Sequence, residues 1–135
     1  MERHELNTII EHECTENGFN FRVVESQHLA TQSPALPVAL LYQPEFISQQ
    51  GRITGRRTYA IKLLLLISSS IAPTPEDRAE YIGQLETSAL QMLTNISFDE
   101  RVALIKDIHI EATDSRHLGR REFGIEIKAK VVTLF

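Results

Sequence analysis

Apolar residues occupy both sides of the stretch 59–67, Tyr-Ala-Ile-Lys-Leu-Leu-Leu-Leu-Ile. Successive side chains of an extended strand point to opposite faces. Tyr59, Ile61, Leu63, Leu65 and Ile67 therefore face one way, and Ala60, Leu64 and Leu66 the other, interrupted by Lys62. Such a strand has to be covered twice. One face can dock on helices, and with only two helices legible in the chain the second face is expected to need another subunit. The pattern elsewhere is simpler. Leu6, Ile9, Ile10 and Cys14 fall at helical spacing within 2–17, and Gly18 is placed to end that helix in a left-handed conformation. Phe19, Phe21 and Val23 alternate with Asn20 and Arg22 as a first edge strand. The run 38–42 is again apolar on both faces, and Pro44 limits it to an edge or an early stop.

Residues 49–57 are polar, with two glycines and three arginines, and read as the tip of a hairpin leading into a strand over 58–68. Thr74-Pro75-Glu76-Asp77 is a helix start: a hydroxyl cap, a proline where the missing N–H costs nothing, and two carboxylates on the positive end of the dipole. The inward stripe of that helix is Ala79, Ile82, Leu85, Ala89, Met92, Leu93 and Ile96, and the helix is expected to end near Asn95. Two long strands, 103–113 and 121–134, close the chain as an antiparallel hairpin. In the last strand Ile125, Ile127, Ala129 and Val131 face one way and Glu126, Lys128 and Lys130 the other. In its partner Ile108, Ile110 and Ala112 oppose Asp107, His109 and Glu111. The expected class is α+β: a mainly antiparallel sheet of four to five strands with two helices packed on one face, in the order α-β-β-β-α-β-β. The outer face then keeps Leu64, Leu66, Val132 and Leu134 near the strand ends, an apolar patch of the kind that marks an interface.

Composition narrows the classes. The 135 residues are 42% hydrophobic and 24% charged, enough for one domain, 1–135, with one core. The opening Met1-Glu2-Arg3-His4-Glu5 is charged and lacks a signal peptide's apolar core, and no apolar run reaches the roughly 20 residues that cross a bilayer. The expectation is a cytoplasmic protein without membrane association. Cys14 is the single cysteine, so an intramolecular disulfide and cysteine-based zinc sites are excluded. A net charge of −4 does not describe a free nucleic-acid-binding domain.

Candidate chemistry is sparse. His4, His12, His28, His109 and His117 lack metal-ligand spacing, although His12 with Glu16 and His109 with Glu111 share faces. No Gly-x-Ser-x-Gly is present, and Cys14 lies on an inward stripe where a thiol is inert. The segment 51–58 departs from a phosphate-binding loop: its glycines are one residue too close, an arginine replaces the lysine, and a strand follows instead of a helix. No catalytic residue, metal or cofactor is expected. Two tips concentrate arginine: Arg52, Arg56 and Arg57 on the first hairpin, and Arg116, Arg120 and Arg121 with His117 on the second. One reading is a solvated hairpin tip. The other is contact with phosphates or with acidic patches on a neighbour, where the guanidinium fork makes paired hydrogen bonds.

In element order the chain resembles the tail terminator and tail-completion proteins of long-tailed bacteriophages and prophages. The resemblance rests on the amphipathic first helix, the hairpin with a basic tip, the capped helix at Thr74-Pro75-Glu76-Asp77 and the long closing hairpin. The polar stretch 25–33 departs from it. The resemblance implies a non-enzymatic virion protein forming rings that cap the tail tube and join it to the head. Its partners would be further copies of itself, tail-tube proteins and head–tail connector proteins, with DNA contact at the arginine tips a weaker second. It would reside in the host cytoplasm and, once assembled, in the virion. A second reading is a small α+β ligand-binding or regulatory module that dimerises through its sheet. A third, an enzyme, needs a carboxylate from elsewhere to join His109 and Glu111 in one cleft.

Overall fold

The computed structural model describes residues 1–24, 35–113 and 122–135. Helix α1 spans Arg3–Glu16 and turns Leu6, Ile10 and Cys14 inward, the i, i+4, i+8 stripe that a helix aligns on one face. Gly18 takes φ 85°, the left-handed stop expected there. Then follow β1 (Asn20–Val24), β2 (Val38–Tyr42), β3 (Glu45–Gln50), β4 (Arg56–Ser68), a 3-10 turn (Ser69–Ile71), α2 (Pro75–Ser97), β5 (Val102–Thr113) and β6 (Glu122–Leu134). The class is α+β, with a mostly antiparallel sheet.

The sheet has six strands in the order β1-β2-β4-β6-β5, with β3 also paired to β4. β3 is the strand beyond the expected four to five. β4 is the spine. It pairs with β6 along its whole length, while its other edge is shared between β2 (Leu41↔Leu63 to Val38↔Leu66) and β3 (Gln50↔Arg56 to Glu45↔Ala60). β1 runs parallel to β2. A parallel neighbour requires a crossover of about a dozen residues, which the chain between Val24 and Val38 supplies.

α2 begins as its sequence dictates. Thr74 Oγ1 accepts a hydrogen bond from the Asp77 N–H at 3.1 Å, Pro75 opens the first turn, and Glu76 and Asp77 follow. Leu85, Ala89, Met92, Leu93 and Ile96 are buried, whereas Ala79 at the start of the expected stripe is exposed, and the helix continues to Ser97. The main core lies between the helices and one sheet face: Leu6, Ile10 and Cys14 with Leu85, Met92 and Ile96 against Ile61, Leu63, Leu65, Ile125, Ile127 and Val131. A second cluster, Val24, Val38, Leu40, Leu64 and Leu66 with Leu36 and Tyr42 packed against it, occupies the upper half of the other face. β5 carries a bulge between Lys106 and His109, where Asp107 adopts φ 54°. A bulge breaks the two-residue alternation. Ile105 and Ile108, on either side of the bulge, both line a groove against α2, and Ile108 is 43% exposed.

Candidate functional site

The outer sheet face corrects one expectation. Leu64 and Leu66 are 1% and 0% exposed within the single chain, where they share a buried cluster with their β2 neighbours Leu40 and Val38 and with Val24, and Leu36 and Tyr42 pack against it. Val132 is also buried, at 6%, and only Leu134, at 40%, retains substantial surface. The doubly apolar strand is covered twice by its own chain. No neighbouring subunit is needed to bury its second face, and the patch of Leu64, Leu66, Val132 and Leu134 does not exist as a continuous exposed surface.

Most of the exposed large apolar residues lie instead at the two lateral edges of the sheet. On the β2 side, β3 is exposed at every position, and among the described residues it pairs only with β4. Phe46 and Ile47 are about half exposed, Phe46 resting edge-on against the Tyr59 ring with centroids 6.0 Å apart. Ile53, in the turn after β3, is 91% exposed. On the opposite side, β5 pairs only with β6 among the described residues. Between β5 and the C-terminal half of α2 runs a groove of about 230 Å³ lined by Leu90, Leu93, Thr94, Ser97, Ile105 and Ile108. Leu90 is 50% exposed and Phe98, just past the helix, 78%. The two edges are chemically unlike: one is a hairpin corner, the other a groove.

The arginines divide. Arg52 and Arg56 are exposed and make no ion pair among the described residues. Arg57 is tied inward: its Nε donates to Gln49 Oε1 at 2.8 Å, its Nη1 to the Met1 carbonyl at 3.5 Å, and its guanidinium sits 4.6 Å from the centre of the Phe135 ring. Its role is to brace the base of the hairpin. Arg116, Arg120 and Arg121, with His117 and His28, lie outside the described residues.

A concavity of about 450 Å³ crosses the middle of the outer face, with Tyr42, Glu45, Lys62, Asp107, Lys128 and Lys130 in its lining. Strand register assembles it. Lys62 lies directly opposite Lys128, and Lys106 opposite Lys130, like-charge pairings that oppose sheet stability. Carboxylates offset them: Glu126 Oε1 is 3.2 Å from Lys62 Nζ and 4.0 Å from Lys128 Nζ, and Asp107 Oδ2 is 3.3 Å from Lys130 Nζ. The left-handed turn at Asp107 places that carboxylate within reach of Lys130, as a bulge re-aims a side chain. Lys62 also sits 4.5 Å from the Tyr42 ring centre. The sequence showed each charge but not this grouping, because it depends on the register of three strands and on a bulge.

The remaining candidates stay apart. His109 Nε2 and Glu111 Oε1 are 2.9 Å apart on the open face of β5, and the hydrogen bond followed by the imidazole's charge holds the Glu111 carboxyl below its ordinary range. Among the described residues no carboxylate from another element is paired with His109. His12 and Glu16 form an exposed i, i+4 pair at 3.8 Å. Glu2, His4 and Glu5 bring ligand atoms within 4.8 Å of one another at the exposed start of α1, a common surface arrangement. Cys14 is fully buried, and burial, reinforced by Glu13 and Glu11, pushes its thiol up to about 12. A thiol held that high is no nucleophile. Among the described residues no helix is long and apolar enough to cross a membrane.

Comparison of the chain with protein families finds no match, and comparison with curated proteins finds none.

Proposed function

We propose that the chain is a non-enzymatic virion structural protein that assembles head to tail into a ring, in the manner of a tail terminator or head–tail joining component. The observation that carries this reading is the pair of unlike free edges. A sheet that ends in a hairpin corner on one side and an apolar groove on the other favours heterologous contacts, and heterologous contacts that close give rings. The element order supports the same reading: an amphipathic helix, a basic-tipped hairpin, a capped helix and a long closing hairpin stand in the order on which the phage resemblance rests. Assembly would use these edges, not the outer-face leucines. Arg52 and Arg56 remain the candidates for contact with partner proteins or DNA.

Light scattering coupled to gel filtration, with native mass spectrometry, tests this across a concentration series. A ring gives one multiple of the 15.3 kDa chain that stops growing as concentration rises. A monomer at every concentration, or growth without limit, overturns the proposal. The concavity of Tyr42, Lys62, Lys128 and Lys130 favours a second reading, a small ligand-binding module with an anionic ligand, since a pocket with convergent polar groups is the usual mark of one. Thermal shift against a panel of small organic anions separates the two, because a specific ligand raises the melting temperature by mass action.

A further inference from the structure

We infer that the β3–β4 hairpin corner of one copy docks into the α2–β5 groove of a second copy, with Phe46, Ile47 and Ile53 as its apolar contacts. This rests on the head-to-tail reading above and names its two surfaces. Both are built from side chains that the single chain leaves open: Phe46 at 50%, Ile47 at 46% and Ile53 at 91% on the corner, Leu90 at 50% and Ile108 at 43% on the groove. They sit on opposite lateral edges, separated by β4 and β6, so one copy cannot satisfy both by folding onto itself.

Charge matches them. The corner carries Arg52 and Arg56, while the groove is flanked by Glu86, one helical turn before Leu90, and Glu100, two residues after Phe98. None of these four makes an ion pair among the described residues. Arg57 adds rigidity, since its bonds to Gln49 and to the Met1 carbonyl clamp the hairpin to the body of the molecule. A corner held in place loses less freedom on docking than a free loop. The turn geometry contributes as well: Gly51 at φ 95° lets the chain reverse tightly, so that Ile53 stands out at the tip.

An interface between unlike surfaces has a signature that a two-fold interface lacks. Phe46→Asp disables the corner and leaves the groove; Leu90→Asp disables the groove and leaves the corner. Both positions are half exposed, so each variant is expected to keep the wild-type circular dichroism spectrum. Each alone should lose assembly, with association weakened at least tenfold. Mixed one to one, an intact groove on the first variant receives an intact corner from the second, and a two-chain species appears that grows no further. Arg56→Glu combined with Glu86→Arg is the charge-swapped check, expected to recover assembly that Arg56→Glu alone loses, and it stands in if an aspartate variant fails to fold. Assembly that survives either aspartate variant, or a mixture that yields no two-chain species, overturns the docking while leaving ring formation intact. A wild-type chain that stays monomeric overturns both.

Discussion

Replacing Gly124 by alanine is expected to remove roughly 2–6 kcal/mol of the stability of the fold. Gly124 lies in β6 between Leu66 of β4 and Thr113 of β5. A Cβ there would fall on the Leu65 carbonyl oxygen, 2.8 Å from the carbonyl carbon and 3.0 Å from Leu66 Cα. These atoms are backbone, and they cannot yield. Leu65 is packed in the main core and Leu66 in the second cluster, both at 0% exposure. Relief must come from opening the β4–β6 ladder around Leu65↔Ile125 and Leu66↔Gly124. Each buried backbone group left without its partner costs about 1–3 kcal/mol, so two of them together cost roughly 2–6 kcal/mol. Total stabilities are about 5–15 kcal/mol. The chain has no tryptophan, so urea unfolding is best followed by far-ultraviolet circular dichroism. Gly83→Ala is the control. Gly83 lies inside α2 with nothing within 4 Å of an added Cβ, and alanine should stabilise by about 0.5–1 kcal/mol. A Gly124→Ala variant within 1 kcal/mol of the wild type by the same measurement would refute the reasoning (a threshold at the error of such comparisons, about 1 kcal/mol).

Three further outcomes are expected. The Cys14 thiol has an ordinary value of 9.0 and is pushed up to about 12 in the fold. Above pH 9 the unfolded chain therefore loses a proton that the folded chain keeps, and stability, fully present below that pH, falls by up to about 1.4 kcal/mol per pH unit until the folded value is reached. Cys14→Ala should flatten this part of the pH dependence, read from urea midpoints between pH 8 and 10.5 (a range of roughly two units on that slope); identical slopes in both proteins would contradict it. Thr74→Ala removes the bond to the Asp77 N–H and should cost about 1 kcal/mol, seen as a lower midpoint with an unchanged denaturant slope. Asp107 holds φ 54°. Asp107→Gly should leave stability within about 1 kcal/mol of the wild type, since its exposed pair with Lys130 contributes little, while Asp107→Val should cost about 1–2 kcal/mol; equal melting temperatures for the two variants would refute the role given to the backbone.

Local signals were legible where one residue's chemistry decides the outcome. Thr74 and Pro75 announced α2, Gly18 announced the end of α1, and the alternation Ile125, Ile127, Ala129, Val131 announced the inner face of β6. β3 escaped because Glu45–Gln50 is exposed at all six positions, so no face is selected and no alternation remains. Pro44 reinforced the impression that the strand had stopped. The covering of Leu64 and Leu66 escaped for a different reason. It depends on β2 pairing with β4 and β1 with β2, long-range pairings that no window of sequence contains. Lys62 interrupting the apolar run was visible, but the concavity it joins required Lys128, Lys130 and Asp107 to arrive from two other strands.

β4 gives Ile61, Leu63, Leu65 and Ile67 to one cluster and Leu64 and Leu66 to the other, and it is bonded to neighbours along both edges. Solvent reaches its amide protons only when both layers loosen together, whereas β3 can fray alone. Deuterium should thus enter the middle of β4 last and at the pace of whole-molecule opening, making that strand a built-in clock for global unfolding, while the exposed hairpin beside it keeps a much faster time of its own.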